Sequence, residues 1–169
     1  NMFMFLEPLA GWRHVKVTAQ RTKQDFAVCM NEMINVHWPE AQKVRVVLDN
    51  LNTHTPASLY EAFAPAEARR IAERFEWHYT PKHGSWLNLA ESELAVLSGQ
   101  CLARRIPDAA KLRAEVDVWC SNRNTHNAKA SWRELRGSMC IVGPDFFNDI
   151  GYYWPDIVDH FQRDVLSTN

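Results

Sequence analysis

The sequence predicts an α/β fold, a mixed sheet flanked by helices, on three grounds. Two segments near the start, Met2 to Leu6 and Trp12 to Thr18, read as strands joined by a turn. The run Val44-Arg45-Val46-Val47-Leu48 is apolar at four positions and β-branched at three, which is strand chemistry. Between and after these, apolar residues recur at helical spacing. At 169 residues the chain can bury a core as one domain, and 46% hydrophobic residues with seven tryptophans exclude global disorder.

Taken in order, the apolar run Met2 to Leu6 stops at Glu7-Pro8, and Trp12 to Thr18 alternates polar with apolar side chains. Turn chemistry from Pro8 to Gly11 makes the pair an antiparallel hairpin with one face buried. Thr22 is placed to cap a helix, with Asp25 in the capping-box position. Phe26, Met30, Met33, Ile34 and His37 then follow helical spacing until Pro39. Val44 to Leu48 reads as a central strand covered on both faces. Thr55-Pro56 opens a helix that continues to Phe63. Pro65 starts another, with Ala68, Ile71, Ala72 and Phe75 on one face and Arg69, Arg70, Glu73 and Arg74 on the other. Glu76 to Tyr79 is a short strand. The helix carrying Glu91 runs to about Arg105, with Leu87, Leu94, Leu97 and Leu102 as core candidates, and Pro107-Asp108 starts one more through Trp119. Near the end, Trp154, Ile157, Val158, Phe161 and Val165 outline an amphipathic helix.

The formal net charge is −1, divided unevenly: residues 1–132 carry +2 and residues 133–169 carry −3. The acidic end is therefore not expected to lie along DNA. Cys29, Cys101, Cys120 and Cys140 are too scattered for zinc ligands or a redox dithiol, and read as reduced thiols. No apolar run approaches the roughly 20 residues of a membrane span, and the opening residues lack a basic leader and cleavage site. The expectation is a cytoplasmic protein with no membrane partner.

Asp49 ends a buried strand and Glu91 lies just inside a helix, so the two carboxylates can converge at one sheet edge and hold Mg²⁺ or Mn²⁺. The plainer alternatives are a turn residue and a first-turn acid favoured by the helix dipole. Glu93 competes with Glu91, but two residues along a helix it takes a different face; Asn88, three residues before Glu91, shares its face. His54 follows a turn, where it can shape the site or donate to a phosphate. Lys82 and His83 precede the Glu91 helix, where a cation meets a DNA phosphate or simply keeps the surface soluble. Arg104 and Arg105 read as complements of a helix dipole.

Asp49-Asn50-Leu51-Asn52-Thr53-His54, together with Tyr79-Thr80-Pro81-Lys82-His83-Gly84-Ser85-Trp86-Leu87-Asn88 and Glu91, resembles the DDE transposases of the mariner-like superfamily, most closely their bacterial insertion-sequence branch. Leu87-Asn88-Leu89-Ala90-Glu91 looks like that family's Leu-Asn-x-x-Glu signature. The resemblance runs from Met2 to about Trp132, dividing the chain into a partial catalytic domain, 1–132, and a divergent aromatic and acidic tail, 133–169. It implies a ribonuclease H-like sheet and metal-dependent DNA strand cleavage and transfer. Asp49 and Glu91 would hold Mg²⁺ or Mn²⁺, Asn52, His54 and Asn88 would support them, and Lys82, His83 and Trp86 would meet the DNA of transposon ends. It also implies a first acid on a first strand, lying between the hairpin and the strand that ends at Asp49. The elements here follow that order with the first strand removed. No Asp precedes Asp25, and Glu7 lies in a turn. The expectation is a chain truncated at its N-terminus and defective in cutting DNA. The competing expectation is a non-catalytic interaction protein that pairs with full-length transposase or is a domesticated remnant put to another use; the partners expected besides DNA are full-length transposase or copies of this chain.

Overall fold

The computed structural model describes residues 1–49, 51–80 and 89–128, and the backbone of Ser138–Val142. Strands β1 (Met2–Glu7) and β2 (Trp12–Val17) form the predicted hairpin, with Met2 opposite Val17 and Glu7 opposite Trp12. Gly11 takes the left-handed conformation, φ 70°, that the tight turn needs. Helix α1 (Lys23–Glu32) opens on the expected capping box: Thr22 Oγ1 accepts from Asp25 N at 3.1 Å, and Asp25 Oδ2 accepts from Thr22 N at 2.9 Å. The helical path continues over Met33–His37 as a π turn.

Strand β3 (Val44–Leu48) leads to a 3₁₀ segment over Pro56–Glu61, where the sequence had suggested a longer helix. Helix α2 (Pro65–Glu73) feeds β4 (Phe75–Tyr79), so Phe75 belongs to the strand and not to the helix face expected for it. Helix α3 (Leu89–Leu97) ends in a second π turn, Ser98–Leu102. Helix α4 (Ala109–Thr125) is capped by Asp108, whose side chain accepts from Lys111 N at 2.8 Å, and it continues past Trp119.

The last described element, β5 (Ser138–Val142), changes the picture drawn from sequence. The sheet order is β2-β1-β5-β3-β4, with β5 antiparallel to β1 and parallel to β3. The place between the hairpin and β3, expected to lack a strand, is filled by residues assigned from sequence to the divergent tail. An empty slot there would leave two inner rows of backbone groups unpaired, at about 1–3 kcal/mol for each buried group. Ser138-Met139-Cys140-Ile141-Val142, apolar at four of five positions, supplies both ladders.

Helices cover both faces of this mixed sheet, an architecture consistent with a ribonuclease H-like domain. Phe3, Phe5, Phe26, Met30, Ile34, Val46, Leu48, Leu59 and Ile71 form one core with α1, the 3₁₀ segment and α2. Met4, Leu6, Val15, Leu89, Leu97, Val116 and Trp119 form the other with α3 and α4, and Leu94 and Leu102 pack at its margin. Alternate residues of β1 feed the two cores, so this strand is buried on both faces rather than one. Leu87 and the helix expected over Trp154 to Val165 lie outside the described residues. Among the described residues no helix is long and apolar enough to cross a membrane.

Candidate active site

Asp49 follows β3 where Thr80 N donates to Leu48 O at 2.9 Å and ties the ends of β3 and β4 together. The chain then turns tightly. His54 N donates to Leu51 O at 2.9 Å, and Ser58 Oγ donates to Thr53 O at 2.7 Å, which returns His54 to Asp49. The His54 ring is fully buried, stacked on Phe26 at 4.9 Å between centroids and tilted against Phe3 at 6.1 Å. Its Nδ1 lies 2.5 Å from Asp49 Oδ1. A carboxylate accepts, so Nδ1–H is the donor and the imidazole fixes the Asp49 rotamer from below.

Glu91 lies in the first turn of α3 and is 8% exposed. Its Oε2 is buried and has no hydrogen-bond partner among the described residues. Burial, and then the Asp49 carboxylate, push the Glu91 carboxyl from 4.5 up to about 8. A buried acid with an orphaned oxygen, near enough to a second carboxylate to feel its charge, is an arrangement that a divalent cation fits: it would neutralise both charges and satisfy the oxygen.

Glu93 is equally buried but differently occupied. It pairs with Arg13 Nε at 2.9 Å and Arg123 Nε at 2.5 Å, with Arg123 Nη2 at 3.1 Å. The fully buried Arg13 guanidinium also donates to Gly11 O at 3.2 Å and Ala128 O at 2.6 Å. Asn124 grips the Arg13 backbone, accepting from its N at 2.8 Å and donating to its O at 2.9 Å. Glu93 therefore joins α3, β2 and α4 in one polar network. Sequence reading missed this network; the signal was Arg13 on the same strand face as buried Val15.

Asn52 is exposed on the turn between Asp49 and His54. Arg104 pairs with Glu115 at 2.8 Å instead of serving only a helix dipole. Asn88, Lys82, His83 and Trp86 lie outside the described residues. Glu7 is at the wrong end of the sheet: β1 runs against β3, so Met4 and Val142 lie toward the Asp49 end while Glu7 closes the other.

A family model described as DDE superfamily endonuclease matches residues 1–113. The chain belongs to this family. No curated protein and no solved structure matches it. DDE superfamily endonucleases depend on divalent metal ions, bind DNA and act as transposase-type enzymes. The matched span of this DDE endonuclease domain includes Asp49, His54 and Glu91, while β5 lies beyond it.

The raised Glu91 carboxyl sets a pH dependence. The folded domain keeps this proton up to about 8, whereas the unfolded chain releases it near 4.5. The associated stability is complete below pH 4.5 and is lost as pH rises through 8. Glu91→Gln should match the parent at low pH and exceed it at pH 8 by on the order of a few kcal/mol. Mn²⁺ should narrow that gap by replacing the proton in the parent alone. Urea denaturation at both pH values, with and without Mn²⁺, measures this; a parent as stable as the variant at pH 8 without metal would refute it.

Proposed function

We propose that this chain is a mariner-like DDE transposase core, of the insertion-sequence branch, that binds one Mg²⁺ or Mn²⁺ through Asp49 and Glu91 but does not cut DNA. The observation that carries the reading is the Asp49–Glu91 pair, with its buried, unpartnered Glu91 oxygen and Asp49 held by His54. Divalent ions in such sites activate an attacking water or 3′-hydroxyl and stabilise the leaving oxygen. The work of this chain's own residues is to hold charge in place. His54 keeps Asp49 in one rotamer, Glu91 closes the site from its helix, and Asn88 is assigned a supporting role. Lys82, His83 and Trp86 meet the phosphates and bases of transposon-end DNA.

The defect lies at the central strand. Val142 follows the register pair Leu48–Ile141 and so stands beside Asp49. This is the place where the resemblance puts a first acid, and β5 brings no carboxylate to it. With one ligand of the shared site missing, the chain binds metal and DNA, and pairs with a complete transposase, without completing the in-line displacement.

Purified protein is expected to bind Mn²⁺ weakly and to leave labelled duplex DNA intact. Asp49→Asn or Glu91→Gln should reduce Mn²⁺ binding at least about tenfold, and Val142→Asp should strengthen it by a similar factor. Nicking by the parent chain in Mn²⁺ that disappears with Asp49→Asn would overturn the non-cutting claim. Mn²⁺ binding unchanged by both substitutions would overturn the site.

A further inference from the structure

We propose that His14, Glu32 and His37 form a second metal site, built for an imidazole-seeking transition ion of the zinc class. One donor atom from each residue lies within 4.8 Å of the other two. An ion bound at about 2.0–2.1 Å in a tetrahedron brings its ligand atoms to roughly 3.3–3.5 Å from one another. Small side-chain rotations close that difference.

Three elements deliver these donors. His14 is on the edge strand β2, on the face opposite Arg13 and Val15; Glu32 is the last residue of α1; His37 ends the π turn. The π turn is what brings the last two together. Residues five apart on an α-helix stand about 140° around its axis. Here Trp38 N donates to Met33 O at 2.8 Å, an i→i+5 bond, and this wider closure sets residues five apart nearly above one another.

The surroundings are those of a site rather than of a hydrogen-bonded histidine pair. Nε2 of His14 and Nε2 of His37 are both buried, and neither has a hydrogen-bond partner among the described residues. The nearest approach of His14 Nε2 to Glu32 Oε1 is 3.9 Å, too long for a hydrogen bond. Two buried, unsatisfied imidazole nitrogens facing one carboxylate is a costly arrangement that a cation relieves. Trp12 and Trp38 wall the cluster: the Trp12 ring lies 5.1 Å from His37 and 6.2 Å from His14, and Trp38 lies 6.0 Å from His37. Lys16 pairs with Glu32 through Oε2, which leaves Oε1 turned toward the histidines.

Two imidazoles and a carboxylate select zinc, cobalt, nickel or copper over magnesium, in contrast to the all-carboxylate pair at Asp49 and Glu91. The sheet order places β1 and β5 between β2 and β3, so the two sites share no ligand. A bound ion would clamp the edge of the hairpin to the end of α1 and keep a coordination position open.

The test is titration of the full chain with Zn²⁺ in excess Mg²⁺, followed by calorimetry and thermal melting, with X-ray absorption at the zinc edge. One equivalent should bind, Tm should rise by about 5–10 °C at a hundredfold excess over Kd, and the absorption should carry the scattering of two imidazoles. His14→Gln, His37→Gln and Glu32→Gln should each weaken binding by about a hundredfold, whereas His78→Gln and Cys101→Ser should leave it unchanged. If a ligand variant folds poorly, the absorption spectrum of the parent still decides. No zinc-dependent shift in a folded parent, a zinc environment without imidazole, or binding that survives both histidine variants would overturn the site.

Discussion

Replacing Cys140 with proline should abolish cooperative folding. Cys140 is opposite Leu6 on one side and Val47 on the other, in the centre of the sheet. Proline removes the amide hydrogen and clashes with the ladder, which costs about 3 kcal/mol or more inside regular structure. Each buried neighbour left without a partner adds about 1–3 kcal/mol, and the total rivals the roughly 5–15 kcal/mol that holds a domain folded. Deleting residues 137–169 should do at least as much, because it leaves the inner rows of β1 and β3 bare. Circular dichroism melting with size-exclusion chromatography measures both. A monomer that melts cooperatively at the parental temperature in either variant would show that β5 contributes nothing to the sheet.

Glu93→Ala should destabilise the protein by about 3–5 kcal/mol, because it leaves the fully buried Arg13 guanidinium without its carboxylate. Replacing the pair together, Arg13→Met with Glu93→Leu, should recover most of the loss, since an apolar pair of similar volume needs no desolvated charge. Glu91→Gln, two positions away, should move stability in the opposite direction at pH 8. Urea denaturation of the four proteins of the Arg13–Glu93 cycle gives the coupling. Independent, additive losses would remove the network from the account of the fold, and a matching loss of Mn²⁺ binding in Glu93→Ala would move Glu93 into the metal site.

Much of the frame was legible because local rules and tertiary context agree. The capping box at Thr22, the proline start of α2 and the apolar β3 each carry their own signal within a few residues. The both-sided burial of β1 was also signalled, by an unbroken apolar run, but the alternation of β2 suggested a solvated face. Arg13 broke that inference: a charged residue occupies an inward position because Glu93 and Ala128 O meet it there. At the site, it was the resemblance to the DDE motifs that singled out Asp49 and Glu91, and nothing in their neighbourhood announced that Phe3 and Phe26 would enclose His54. The π turn at Met33–His37 has no propensity signature, since an α-helix and a π turn bury the same residues at its start. Strand β5 was missed because a run of five residues, four of them apolar, far along the chain from the other strands has no period to read, and its partners are fixed only by the vacancy it fills.

The order in which this sheet can close follows from where its middle strand lies in the chain. During synthesis β1 to β4 and the four described helices emerge before Ser138–Val142, so among the described residues two complementary strand rims stay unpaired until this last described element arrives. Such long-range closure slows folding, because the loop entropy must be spent before any ladder forms. In that interval the gap accepts the same five residues from a neighbouring copy as readily as its own, which makes strand exchange between molecules a concentration-dependent competitor of correct folding. Refolding at high concentration should therefore give intertwined dimers built on the native register, and dilution should favour the closed single chain.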